Sequence, residues 1–271
     1  MLAHQHAPRP HKPGTLLRRA VEAPRAVTRA TRRWGQAAGL TANIASALRR
    51  LEQLRDRGVD ADPERLSFQR WLASNVCAIH GIEVDITGRL DLLTCDRAFV
   101  MVANHISYLD PIAILSRLPA FSVAKQEVAT WPFVGQLATQ LGMIPYARGD
   151  TFNGAQVLRR CEDHIRRGHR VLAFPEGTTT RGHHVAGFHR GAFHLAQHCN
   201  VPVLPIVVRY DSEHAPWVGN DTFLPHYMRT SMRPVTRVSV ELLDPVGPGT
   251  AVGSRALCER VERLFAAALG H

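Results

Sequence analysis

The sequence predicts an α/β fold: a largely parallel central sheet flanked by helices, preceded by an N-terminal helical segment. Three observations predict it. From residue 82 onward, short apolar runs alternate with amphipathic stretches, as strands joined by helical crossovers do. The runs are rich in Val, Ile, Leu and Phe, and several, such as Phe99–Ala103, lack polar alternation, as strands buried on both faces do. Chemistry-bearing residues recur directly after these runs, where α/β sheets gather their sites.

Residues 1–38 read as a basic tail, disordered by itself. Residues 1–50 hold ten Lys or Arg and one acid, Glu22, a net of +9, while the whole chain is +10. Such a tail suits anionic lipid headgroups, and its charge would also suit nucleic acid. Residues 39–81 read as the helical segment. Leu40, Ile44, Leu48, Leu51 and Leu54 recur at helical spacing, and Gly58 closes the run. Asp62-Pro63-Glu64 reads as the next helix start, with Asp62 as cap. Phe68, Trp71, Leu72, Val76 and Ile79 share one face of that helix, and Gly81 ends it. With Arg65 and Arg70 beside Trp71, the face suits a membrane interface as well as a core.

Residues 82–271 then form the main domain. Strands are predicted near 83–88, 98–103, 120–124, 143–147, 170–174, 202–209 and 235–242. Helices are predicted near 110–117, 129–141, 152–167, 187–199 and 252–269. Arg166 and Arg167 sit in a last turn that Gly168 stops.

Composition bounds the function. No apolar run approaches the roughly 18 residues that cross a bilayer. The start lacks the continuous apolar core of a secretory signal. Five scattered cysteines (77, 95, 161, 199, 258) form no Cys-x-x-Cys pair, which argues for reduced thiols in a cytosolic setting. His183, His184, His189, His194 and His198 make a His-rich stretch. Only His194 and His198 share a helical turn, and no third ligand has clear spacing, so no metal is expected.

The densest chemical signal is Asn104-His105-Ile106-Ser107-Tyr108-Leu109-Asp110. His105 leaves a predicted strand end and Asp110 opens a helix, with Pro111 in the first turn. A turn of this length lets the carboxylate reach one imidazole nitrogen, fix the tautomer and leave the other nitrogen free to take a proton. No Ser or Cys nucleophile has an obvious role beside it. The pair therefore suits activation of a substrate hydroxyl better than a covalent enzyme intermediate.

Further segments follow in order: Gly142-Met143-Ile144-Pro145-Tyr146-Ala147-Arg148, then Phe174-Pro175-Glu176-Gly177-Thr178, then Val201-Pro202-Val203-Leu204-Pro205-Ile206. Lys125-Gln126-Glu127 and Trp131-Pro132-Phe133-Val134-Gly135 lie between the first two motifs. In that order the series resembles the glycerolipid acyltransferase family, which contains bacterial 1-acyl-glycerol-3-phosphate acyltransferases. The resemblance covers roughly residues 98–210. It implies the glycerol-3-phosphate acyltransferase-like form of the fold and an O-acyltransferase of phospholipid biosynthesis. A fatty acyl group would pass from acyl-CoA or acyl carrier protein to the free hydroxyl of a lysolipid, 1-acyl-glycerol 3-phosphate first, giving phosphatidate. No further cofactor is implied.

By that resemblance His105 and Asp110 are the base and its orienter. Arg148, Glu176, Gly177, Thr178 and Arg181 bind the acceptor headgroup. Asn104, or amides of the 104–108 turn, would serve the oxyanion, and Lys125 would support the site. One position departs from the pattern. Many family members carry Arg directly after Phe-Pro-Glu-Gly-Thr, where this chain has Thr179 and reaches Arg181 two residues later. The Thr-Thr form resembles branches that include lyso-ornithine-lipid acyltransferases, which keeps a different headgroup open. The protein would work peripherally on the inner face of the cell membrane, with no nucleic acid partner. The rival from another class is a non-catalytic lipid- or nucleic-acid-binding protein that uses the basic tail.

Overall fold

A computed structural model describes residues 13–131, 133–219 and 221–270, without the side chains of residues 13–23 and Thr151. The first twelve residues of the expected tail, and Pro132 in the Trp131–Gly135 segment, lie outside the described residues. Three helices come first: α1 (Pro13–Gly39), α2 (Thr41–Asp56) and α3 (Asp62–His80). The main domain runs β1 (Ile82–Gly88), β2 (Val100–Ala103), α4 (Leu109–Leu115), β3 (Phe121–Lys125), α5 (Gln126–Ala129), α6 (Val134–Gln140), β4 (Met143–Tyr146), α7 (Thr151–Arg166), β5 (Val171–Ala173), α8 (Gly191–His198), β6 (Val203–Tyr210), α9 (Phe223–Ser231), β7 (Thr236–Leu242) and α10 (Gly253–Leu269).

The seven strands form one sheet in the order β1-β7-β6-β2-β5-β3-β4. Every pairing is parallel except β6 with β7. So β6, β2, β5, β3 and β4 point their carboxyl ends the same way, and β7 and β1 run against them. β2 lies centrally, with β5 on one side and β6 on the other.

Alternation along the central strands sends side chains into two cores. Phe99, Met101 and Ala103 join Leu204, Ile206 and Val208 on the face covered by α3 and α4. Val100 and Val102 join Val203 and Val207 on the face covered by α7, α8 and α10. Both faces are thus dry, which is why these strands show no polar alternation. Phe193 and Phe265 are fully buried in the second core.

The expected disordered tail is corrected by α1, helical from Pro13 to Gly39. Ala30 and Arg33 are buried, and Arg33 donates to the carbonyls of Ser231, the last residue of α9, and of Arg233 and Pro234 just beyond it. These are unsatisfied carbonyls at a helix end, so a cation there meets both hydrogen-bond need and dipole. Among the described side chains, this docking ties the missed helix to the main domain.

The sequence also places the α3 cap wrongly. Asp60 accepts the Asp62 N–H at 3.0 Å, while Asp62 is buried and ion-paired to Arg65 and to Arg167 at 2.6 Å. α3 packs mainly as core. Ala73 and Cys77 enter the first core, and the buried Gln69 amide bonds Ala120 and the Leu141 carbonyl. Trp71 stacks on Phe68 at 5.2 Å and keeps part of its ring exposed.

Gly81 ends α3 with φ 65°, a left-handed conformation that favours glycine. A Cβ there would strike the Arg33 guanidinium and stand 2.7 Å from the Pro234 carbonyl. Gly81→Ala is therefore expected to cost about 1–2 kcal/mol from backbone conformation alone, and more from the displaced Arg33. Denaturant unfolding checks this; wild-type stability would remove Arg33 docking from the account.

Candidate active site

β2 ends where its apolar run ends, at Asn104. The buried Asn104 amide donates to the Val208 carbonyl at 2.9 Å and accepts the Val208 N–H at 2.7 Å. It continues the β2–β6 ladder one residue past the strand and fixes where the following turn begins. One amide N–H and the carbonyl oxygen of its side chain are thereby committed to the sheet.

The turn brings His105 and Asp110 together. Asp110 sits in the first turn of α4 and is fully buried. Its Oδ2 accepts from His105 Nδ1 at 2.8 Å and from the backbone N–H groups of Ile106 at 2.6 Å and Ser107 at 2.9 Å. Its Oδ1 accepts the Tyr210 hydroxyl at 2.7 Å. Four donors on two oxygens meet the hydrogen-bonding need of this buried side chain. Nδ1 carries the proton in this arrangement. Nε2 has no protein partner among the described residues and is free to accept one. Phe174 stacks on the imidazole, with centroids 4.2 Å apart, and limits its rotation.

Glu176 comes to the same turn from β5, the neighbour of β2. Its Oε1 accepts the His105 N–H at 2.8 Å and its Oε2 the Ala186 N–H at 2.9 Å. Burial raises its pKa, the two backbone bonds and His105 oppose that rise, and the Asp110 charge adds to it. Glu176 therefore clamps the 104–110 turn to the 177–186 loop. Glu176, expected at the acceptor, here spends one bond of each oxygen on the backbone. The 105–107 amides are likewise engaged by Glu176 and Asp110, which removes them as oxyanion donors.

Gly177 turns the chain with φ 63°. A Cβ there would lie 2.8 Å from Arg148 Nη2, so glycine lets the Arg148 guanidinium lie over the turn. Lys125 is close enough that the Arg148 charge, after burial, lowers its pKa. Lys125 ends β3, and Arg148 lies two residues beyond the end of β4, its neighbour in the sheet. No carboxylate pairs with Arg148 among the described residues. Thr178 and Arg181 are exposed and make no side-chain hydrogen bond among the described residues. Thr180 donates its N–H to the His105 carbonyl at 2.7 Å, and the Thr179 hydroxyl donates to the Trp217 carbonyl.

Two residues at the centre of the site were not expected from sequence. Tyr210 stands at the end of β6, opposite the carboxylate of Asp110. Burial, then the Asp110 charge, pushes its pKa well above the usual phenol value, so it stays a donor. Its position at a strand end was the available signal. Tyr108 is the other: it packs edge-on against Trp217, Phe223 and His226 and bonds Thr230 at 3.1 Å. Trp131 continues this aromatic wall against Phe223, 4.5 Å away.

Among the described residues no three His, Cys, Asp or Glu lie together in a way that could hold a metal ion. His194 stacks on His198, and His198 bonds Glu162 at 3.1 Å. No helix of the described residues is long and apolar enough to cross a membrane.

The structure thus places a carboxylate-held imidazole at the carboxyl edge of a mostly parallel sheet. Residues 83–209 match the family model described as Acyltransferase. The lyso-ornithine lipid O-acyltransferase of Pseudomonas aeruginosa is 29% identical over 223 residues, 80% of this chain and 84% of that protein. A chloroplastic 1-acyl-sn-glycerol-3-phosphate acyltransferase of Arabidopsis thaliana is 29% identical over 61% of this chain and 47% of its own length. The crystal structure of the 1-acyl-sn-glycerophosphate acyltransferase PlsC from Thermotoga maritima shares the fold, with TM-score 0.69 and 21% identity over 92% of this chain and 96% of that one. The chain therefore carries an acyltransferase-family domain over residues 83–209. It is an O-acyltransferase that takes an acyl donor and a lysolipid acceptor.

Tyr210→Phe removes one of four donors to Asp110 while keeping the ring. Turnover is expected to fall about 10-fold with KM little changed, because the hydroxyl is committed to Asp110. Steady-state kinetics check this; a change confined to KM would place Tyr210 at the acceptor instead.

Proposed function

We propose that the protein transfers a fatty acyl group from an acyl thioester to the free hydroxyl of 1-acyl-glycerol 3-phosphate, with His105 as general base. The observation that carries this reading is the His105–Asp110–Tyr210 chain, which leaves Nε2 free beside no protein nucleophile. Nε2 takes the hydroxyl proton as the oxygen attacks the thioester carbonyl. The tetrahedral intermediate collapses, the C–S bond breaks, and the imidazolium returns its proton to the thiolate. Acyl-CoA or acyl carrier protein would bring the donor. The chemistry balances without a metal or bound cofactor. Arg148, with Lys125 beside it, supplies the positive charge a headgroup phosphate needs. We also propose peripheral work on the inner face of the cell membrane.

A second reading is favoured by Thr179. Its hydroxyl is spent on the Trp217 carbonyl, so no cation stands at a position where many relatives carry Arg. That arrangement supports a lyso-ornithine lipid as acceptor.

The test is acyl transfer from labelled acyl-CoA and acyl carrier protein to lysophosphatidate and lyso-ornithine lipid, with Arg148→Gln beside wild type. Transfer to lysophosphatidate with KM raised about 10-fold or more in Arg148→Gln supports the first reading. Transfer to lyso-ornithine lipid alone moves the acceptor to the second. Transfer to neither removes both.

A further inference from the structure

A second cationic site lies between α1 and α3. Arg29, Arg32, Arg33 and Gln36 of α1 line a groove of about 450 Å³ together with Ala78 and Ile79 of α3 and Pro234. Arg33 is 6% exposed. Its guanidinium donates to the carbonyls of Ser231 at 2.9 Å, Arg233 at 2.5 Å and Pro234 at 2.8 Å, and Arg29 donates to the Met232 carbonyl. Carbonyls satisfy donors but carry no net charge. Among the described residues no carboxylate pairs with Arg29, Arg32 or Arg33. Burial, then the Arg29 charge, lowers the Arg33 pKa, as expected where two cations share a site without a counter-ion. A buried charge left in this state is costly, and a bound anion would relieve it.

The chemistry of the lining selects the anion. Guanidinium forks match phosphate oxygens. Arg32 is exposed and makes no hydrogen bond or ion pair among the described residues, so its donors are available. The floor of Ala78, Ile79 and Pro234 is apolar, which a free ion does not use and the glycerol and first methylenes of a lipid do. We propose that this groove binds the phosphate group of a phospholipid, at a site separate from the acceptor site. Inorganic phosphate offers the same oxygens and is the other source of this chemistry.

The experiment uses the full chain. Wild type, Arg32→Glu, Gln36→Glu and Arg50→Glu are compared. Arg50 lies on α2, is exposed and stands outside the groove, so its reversal changes net charge equally with that of Arg32. One arm measures sedimentation with phosphatidylcholine vesicles containing phosphatidylglycerol, with and without added inorganic phosphate. The other measures thermal unfolding in phosphate against chloride at equal ionic strength. The expected result is an affinity loss of about tenfold or more in Arg32→Glu, a smaller loss in Gln36→Glu, and about threefold or less in Arg50→Glu. Vesicle binding that survives inorganic phosphate assigns the groove to the lipid. Phosphate that stabilises wild type but not Arg32→Glu, and displaces vesicles, assigns it to the free ion, with the phosphate site upheld. Equal losses in Arg32→Glu and Arg50→Glu would mean diffuse surface charge and overturn the proposal. So would an Arg32→Glu protein that keeps wild-type vesicle binding and phosphate response.

Discussion

His105→Ala is expected to lower kcat for acyl transfer about 10²–10⁴-fold, the range a positioned general base supplies. The fold is expected to survive. The imidazole makes one hydrogen bond, to Asp110, and one stacking contact, with Phe174. The turn itself is held by backbone bonds that alanine keeps: His105 N–H to Glu176 and Thr180 N–H to the His105 carbonyl. Circular dichroism and thermal unfolding separate loss of chemistry from loss of structure. A folded variant with wild-type turnover would remove His105 from the mechanism and leave the match of residues 83–209 to acyltransferases untouched.

Asp110→Asn is expected to hurt both activity and stability. The carboxylate accepts from an imidazole, two backbone amides and a phenol. An amide of the same shape has one accepting oxygen and turns an NH2 toward groups that are themselves donors. Leaving buried donors unmet costs about 1–3 kcal/mol each. The imidazole would lose the charge that fixes its tautomer, and in the Ser-His-Asp triad the corresponding change costs about 10⁴ in turnover. We expect a loss of about 10²-fold or more in kcat and about 1–3 kcal/mol in denaturant stability. A variant that loses stability but keeps turnover would reduce Asp110 to a structural anchor for the turn.

The chemical core of the site was legible because its residues are close in sequence. His105 and Asp110 are joined by one turn, and Glu176-Gly177 by one strand end. Their roles were less legible. Glu176 was expected at the acceptor, yet it clamps the His105 amide, a partner 71 residues away. Asn104 was expected near the oxyanion, yet it extends the ladder to Val208. In both cases the motif named the residue, while its partner came from a strand that only pairing in the sheet brings near.

α9 was missed for a local reason. Phe223–Ser231 is short and holds Pro225, which the first helical turn tolerates. Its contact with Tyr108 and the Arg33 cap beyond its end support it from outside. α1 was missed because composition weighs charge as disorder, whereas three carbonyls bind Arg33.

By itself, the sequence determined the alternation of seven strands with helices, the two dry faces of the central strands, and the His105–Asp110 pair. Those follow from periodicity and from residues a turn apart. Tertiary structure alone decided the strand order, the reversed direction of β7 and β1, Tyr210 as the fourth donor to Asp110, Glu176 as a clamp, and the arginine groove against α3. Each depends on bonds between segments remote in the chain. Local propensity carries no information about which remote carbonyl or carboxylate a donor will meet.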